Sequence, residues 1–195
     1  MNESDGGTLG QGLIFEDFLP LKWRALAESP ALAEVSRLNE SNEEMMRFID
    51  VLDEYPGEPG EEHAPLRQEL ARVEAKVNLL LGLVGQLVVA HFPLPPARAV
   101  KLNPMGIEWV ADEGLQPGGY GLVDIYPNAR CPRPLSLPGR LERVEVTSDG
   151  FLVAVRFEAL SETLQGNLEK MIFRHHRRQV ALARRLTSPE TDTPS

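Results

Sequence analysis

Seven apolar residues follow Pro65 at alternating spacings of four and three, and this repeat constrains the fold more than any other feature of the chain. The spacing places them on one narrow stripe of a helix, which is typical of a coiled coil or helical bundle. An amphipathic helix that packs on its own domain is the alternative. The seven positions are Leu66, Leu70, Val73, Val77, Leu80, Val84 and Leu87.

The segment before this repeat has the same spacing. Ser29 and Pro30 have the residue types of a helix N-cap and first helical position, and three prolines and two glycines from Tyr55 to Pro65 interrupt the helix. Two adjacent helices of this kind predict an antiparallel hairpin over residues 30–92, in which the polar Asn42 would fix the register. The stripe of the first helix is Val35, Leu38, Asn42, Met45, Ile49 and Leu52.

The second helix is apolar on more than one face, because leucine and valine also lie outside its stripe. One partner helix cannot cover such a surface, so we expect self-association, with a homotetramer preferred over a dimer. The longest apolar run, Val77 to Phe92, contains polar residues and glycines and falls short of the roughly 18 to 20 residues that span a membrane. Membrane insertion is therefore not expected.

Strand patterns lie on both sides of the two helices. Leu13 to Trp23 alternates with period two, as a half-buried strand does, and Pro20 predicts an edge or a break there. After Pro93–Pro96, short apolar segments with turn signals predict a small antiparallel barrel. These segments are Gly106–Val110, Gly121–Tyr126, Gly139–Val146 and Phe151–Phe157.

A last helix is predicted from Ser161 to about Arg185, followed by a disordered tail. The fold class is therefore α+β, a small antiparallel β-barrel with a long heptad-repeat helical hairpin and a C-terminal helix. Four units are expected: residues 1–29 as a tail with a barrel strand, 30–92 as the oligomerising hairpin, 93–187 as the barrel with its helix, and 188–195 as the disordered tail.

The charge of the chain is negative and unevenly distributed. With 20 Lys and Arg against 29 Asp and Glu, the net charge of −9 disfavours nucleic acids and anionic membrane surfaces as partners. Residues 1–64 carry a net −11 and residues 65–195 a net +2. The acidic end is either a solvated helix face or an interaction tail. The basic stretch from Lys170 to Arg185 is either a solvated helix end or a docking face for an acidic partner.

The sequence contains no pattern that predicts catalysis or metal binding. Cys131 has no histidine at a meaningful spacing, and the histidines lack the spacing of metal ligands. We therefore expect no enzyme activity, no metal and no cofactor. A single cysteine forms no internal disulfide, and the polar, acidic N-terminus does not resemble a signal peptide, so a cytoplasmic location is expected.

Three segments of the second half resemble the PilZ domain, a small β-barrel that many bacterial proteins use to sense cyclic di-GMP. They are Val100–Trp109, the hairpin that ends at Phe157, and the helix from Leu168 to Arg178. The resemblance covers roughly residues 90–186, and the added heptad helices are similar to those of the atypical, helix-extended, oligomeric subfamily. If Leu13–Trp23 supplies the first barrel strand, the helices are an insertion within the barrel.

The ligand motif that the resemblance implies is degraded. Lys101 stands where the family has Asp or Asn, Asn103 stands in place of Ser, and Gly106 matches. Arg98 is alone where the family has an R-x-x-x-R pair. The resemblance implies a non-enzymatic adaptor in cyclic di-GMP pathways with weak or lost ligand binding. The ligand-binding residues that the motif implies are Arg98, Lys101, Asn103 and Gly106. The alternative is a working receptor with an altered site, in which Arg98, Lys101 and Asn103 substitute or another subunit supplies basic residues. Other signalling, pilus or motility proteins are the partners implied, in processes such as virulence.

Overall fold

The structure is a computed structural model that describes residues 9–10, 12–53, 64–128 and 131–187. Within these residues, a closed antiparallel barrel is formed by strands in the order β1-β2-β3-β6-β5-β4, and three helices accompany it. The predicted α+β class is confirmed. The strands are β1 Phe15–Leu26, β2 Ala97–Asn103, β3 Gly106–Ala111, β4 Tyr120–Ile125, β5 Leu135–Thr147 and β6 Gly150–Phe157, and the helices are α1 Leu32–Asp53, α2 Ala64–His91 and α3 Glu162–Thr187.

Strand β1 closes the barrel by pairing with two different neighbours. Its first half lies against β2, from Phe15 opposite Leu102 to Pro20 opposite Ala97. Its second half lies against β4, beginning with Leu21. Pro20 has no N–H to donate, and it sits where β1 changes partners, a position at which a strand tolerates proline. The period-two segment Leu13–Trp23 therefore lies largely within a barrel strand, and α1 and α2 are inserted between β1 and β2.

Helix α1 belongs to the core of the barrel, which corrects the predicted hairpin. Its inner face packs on β5 and α3, with Val35, Met45 and Ile49 buried and Leu38 half-buried. In the described residues, α1 does not pack along α2, and Val35, Met45 and Ile49 are buried within the chain. The oligomerisation role expected of the α1 positions stays a prediction. A spacing of three and four marks any helix with one buried face, and here the barrel covers that face.

Asn42 is buried within the chain, on the inner face of α1, and its predicted role in fixing a coiled-coil register stays a prediction. Its side chain is 1% exposed. The amide donates to the carbonyl of Ser136 at 2.9 Å and accepts from the Ser136 N–H at 2.9 Å. The Ser136 hydroxyl donates to Asp124 at 2.6 Å, and the Asp124 carboxylate also accepts from the Arg24 guanidinium at 2.5 Å. This polar network joins α1, β5, β4 and β1.

Helix α2 packs along no other helix or strand of the described chain. Its described heptad residues, from Leu70 to Leu87, are between 48% and 62% exposed. By length and composition alone, the 24 residues from Gln68 to His91 could cross a membrane, contrary to the expectation from the shorter run. The side chains of Leu52 and Leu66, the linker 54–63 and the predicted tail 188–195 lie outside the described residues.

Helix α3 begins with a side-chain cap and packs on the barrel. The Ser161 hydroxyl accepts from the N–H of Leu164 at 3.0 Å, as an N-cap does. Leu164, Leu168 and Ile172 are buried in the same core as the strands. On the side that faces α1, Arg174 forms an ion pair with Asp50. Part of the basic charge of α3 is thus paired with the acidic charge of α1 in the same chain.

Candidate ligand and interaction sites

Arg98 lies on β2 with its side chain on the inner side of the barrel wall, because the strand alternates and Val100 and Leu102 are buried on that side. Its guanidinium donates to both carboxylate oxygens of Asp112 and, at 3.1 Å, to the carbonyl of Val110. The hydrogen bond to Asp112 raises the pKa of Arg98, and the same bond lowers the pKa of Asp112. The guanidinium is therefore already engaged by an acidic partner.

Lys101 lies on the opposite, outer face of the same strand. Its ammonium is 3.4 Å from a carboxylate oxygen of Glu16, and both side chains are exposed. The shallow cavity beside it, about 580 Å³, is also lined by Glu16, Asp17 and Glu108. An anionic ligand in this cavity would meet three carboxylates and a single ammonium, which makes the outer face a poor anion site.

Asn103 and Gly106 form the turn between β2 and β3. The Asn103 side-chain oxygen accepts from the N–H groups of Met105 at 2.8 Å and Gly106 at 3.0 Å, and its amide donates to the carbonyl of Leu9. A Cβ on Gly106 would lie 2.4 Å from the carbonyl oxygen of Val155 on β6. Asn103 thus stabilises the backbone of the turn, and Gly106 allows the close approach of β3 to β6. Asn-Pro-Met-Gly is the typical residue order of a type I turn, a signal that the sequence contains.

The four residues of the predicted ligand motif do not form one site in the described structure. Arg98 faces inward, Lys101 faces outward, and Asn103 and Gly106 are committed to a turn. Cys131 is half-buried, with its Sγ atom 3.7 Å from the Sδ atom of Met45. Among the described side chains, no group of three His, Cys, Asp or Glu is placed to hold a metal ion.

The described surface of α2 is the second candidate site. Beyond the heptad residues, Leu79 and Leu83 are also exposed, and Phe92 lies just after the helix with 73% of its surface exposed. A soluble protein rarely exposes so much contiguous apolar surface without a partner for it. These leucine, valine and phenylalanine side chains are suited to burial against other apolar surfaces, and they offer no nucleophile, acid or base.

Comparison with known proteins identifies a family and several solved structures. The family model described as atypical PilZ domain, cyclic di-GMP receptor, matches residues 45–185. A tetrameric PilZ domain protein from Xanthomonas campestris, described as pathogenic and self-assembled through an unusual helical bundle, is 25% identical. The alignment covers 86% of this chain and 90% of that one, with a TM-score of 0.67.

The second solved structure is an inhibitor of motility from Bacillus subtilis, which is 19% identical. The alignment covers 44% of this chain and 42% of that one, with a TM-score of 0.34. A search of curated proteins gives no match.

Proposed function

Because the chain belongs to the atypical PilZ domain family, we propose that it is a non-enzymatic adaptor of cyclic di-GMP signalling in the bacterial cytoplasm, which self-associates through α2 and binds the nucleotide weakly or not at all. The observation that carries the proposal is the apolar surface of α2, which the described chain leaves uncovered. The Xanthomonas campestris protein, which assembles as a tetramer through a helical bundle, supports it.

Association through α2 is favoured by the surface that it would bury. The helix has 28 residues, and its described stripe is about half exposed in a single copy. Burial of an apolar side chain contributes about 1.5–3 kcal/mol when it is complete. Several half-exposed leucines and valines on each copy therefore supply a driving force large enough to offset the entropy lost on association. A tetramer covers more of the helix than a dimer does, because residues outside the stripe are apolar too.

The positions of the motif residues support weak nucleotide binding. Cyclic di-GMP carries two negatively charged phosphates, and tight recognition calls for free cations on one surface. Arg98 is engaged by Asp112, and Lys101 is accompanied by three carboxylates. The alternative, a receptor with a non-standard site, requires Arg98 to leave Asp112 or another subunit to supply cations.

The mass in solution tests the assembly. Light scattering on the purified chain is expected to give a multiple of 21.6 kDa, with four copies preferred. A triple variant, Val77→Asn, Leu80→Asn and Val84→Asn, is expected to be a monomer with an unchanged barrel by circular dichroism. Val146→Asn is the matched control, since Val146 is 82% exposed but lies on β5. A monomeric wild-type protein, or one that floats with lipid vesicles, would contradict assembly through α2.

Calorimetric titration with cyclic di-GMP tests the second part. We expect no sub-micromolar binding, with a known receptor of the nucleotide as the positive control for the ligand stock. Sub-micromolar affinity would refute weak binding. If Arg98→Ala then abolished that affinity, the receptor alternative would be correct.

A further inference from the structure

A groove opens beside the turn between β2 and β3, and its walls expose three large apolar side chains. Its volume is about 530 Å³. Leu13, Met105 and Phe173 line it from three separate parts of the chain and are 46%, 51% and 51% exposed. Exposed apolar side chains that converge in this way mark interaction sites more often than scattered ones do.

The backbone holds Met105 in this exposed position. Its N–H donates to the Asn103 side chain at 2.8 Å, and its carbonyl accepts from the N–H of Phe157 at 2.8 Å. Asn103 is itself 3% exposed and bonded to Leu9. The turn therefore cannot fold inward to cover Met105, and the residues of the degraded motif serve to position it.

Helix α3 presents Phe173 for a similar reason. Leu168 and Ile172 are buried against the barrel, so the helical period turns Phe173 outward. The Arg177 guanidinium lies 5.9 Å from the centre of the Phe173 ring, and Lys170 lines the groove. From Lys170 to Arg178 the helix contains no acidic residue, although Glu169 also lines the groove. The floor is thus apolar and one rim is cationic.

We propose that this groove binds an amphipathic helix of a second protein, one that carries Asp or Glu beside its apolar face. Apolar anchors would fill the groove, and the carboxylates would lie near Lys170 and Arg177. Strand β2 separates the groove from α2, since α2 leads into Ala97 and the turn follows Asn103. Seven residues of strand span roughly 20 Å. The groove and α2 thus adjoin opposite ends of β2, and no residue of α2 lines the groove.

Two synthetic peptides of about five helical turns test the proposal. One has leucines along one face with glutamates beside them, and the other has lysines in place of the glutamates. Titration of each into the full chain, with ¹³C-methyl methionine as the NMR probe, reports both affinity and contact at Met105. We expect the acidic peptide to shift the Met105 methyl signal and to bind about tenfold more tightly than the basic one.

Variants assign the binding to the groove. Phe173→Ser and Met105→Ser are expected to weaken the acidic peptide by about tenfold, whereas Val146→Ser, at an exposed valine elsewhere, leaves its affinity unchanged. The double variant Lys170→Glu and Arg177→Glu is expected to favour the basic peptide. Circular dichroism confirms that each variant is folded.

Three results would overturn the proposal. The first is equal binding of the two peptides, and the second is an equal effect of Phe173→Ser and Val146→Ser. The third is occupation of the groove by something else. A Met105 signal that changes with protein concentration alone would identify a second copy as the occupant, and one that responds only to phosphatidylglycerol vesicles would identify a lipid surface. Because no step depends on α2, failure here is distinguishable from failure of the assembly.

Discussion

Replacement of Asn42 by alanine separates the two roles that this residue could have. Asn42 is buried in α1 and makes two hydrogen bonds of 2.9 Å to the backbone of Ser136. Asn42→Ala removes both bonds and leaves the N–H and C=O of Ser136 without these partners. If Asn42 instead fixed the register of a coiled coil, its removal would raise stability and change the number of copies in the assembly.

The size of the effect follows from these contacts. Two hydrogen bonds contribute about 0.5–1.5 kcal/mol each, and each buried group left unpaired costs about 1–3 kcal/mol. Ser136 is half-buried, so water compensates for part of that cost. The higher helix propensity of alanine offsets about 0.5 kcal/mol. The net expectation is a loss of about 2–4 kcal/mol, which for a chain of this size lowers the Tm by about 5–15 °C.

Asn39→Ala is the matched control, because it makes the same change in the same helix. Asn39 donates one exposed hydrogen bond, to the carbonyl of Ala159 at 3.0 Å. The gain in helix propensity is similar in both variants, so the difference between them isolates the Ser136 contacts. Thermal unfolding at one protomer concentration, together with light scattering, measures both quantities. Equal Tm values for the two variants, or a changed mass for Asn42→Ala alone, would refute the structural role.

Three further predictions concern the barrel. Gly106→Ala is expected to cost about 1–3 kcal/mol in urea unfolding, because its Cβ would lie 2.4 Å from the Val155 carbonyl oxygen; unchanged stability would contradict the close approach. Asp124→Ala is expected to cost about 1–3 kcal/mol, since it leaves the Ser136 hydroxyl and Arg24 without their acceptor, whereas Ser136→Ala removes only one bond of the network and costs less. Arg98→Gln is expected to raise the pKa of Asp112, which the hydrogen bond from Arg98 holds below its ordinary value, as measured by NMR titration. Because the folded pKa is lowered, the stabilisation from this pair is present above the ordinary pKa of an aspartate and is lost as the pH falls through the folded value. The wild-type protein should therefore lose this stabilisation on acidification, and Arg98→Gln, which lacks the pair, should not.

Local patterns in the sequence predicted the barrel better than they predicted the helices. The alternation in Leu13–Trp23 and the apolar segments Gly139–Val146 and Phe151–Phe157 are local patterns of neighbouring residues, and they correspond to strands of the barrel. The stripe from Val35 to Ile49 indicates only that one face of α1 is buried, and it does not identify the surface that buries it. The choice between a barrel and a partner helix depends on contacts such as Asn42 with Ser136, which are 94 residues apart.

The candidate sites were predicted only in part, because they too depend on contacts between residues that are far apart in sequence. The positions of Arg98, Lys101, Asn103 and Gly106 could be read from the sequence, but their opposite orientations follow from the strand register. The engagement of Arg98 by Asp112 joins β2 to the segment after β3, and no motif reports it. The sequence did not predict the groove at Met105 and Phe173, because each is a single apolar residue and only the fold brings the two side chains together.

The position of β1 has a consequence for the order in which the barrel folds. Each of the other described strands has at least one neighbour that is adjacent to it in sequence with no helix between them, but both neighbours of β1 come after the two inserted helices. Pairing over such long loops costs more chain entropy than forming a local hairpin, so we expect β1 to join last. Until it does, β2 and β4 are open edges that can pair with another chain. A chain that loses β1 is therefore expected to aggregate, although its five later strands are intact.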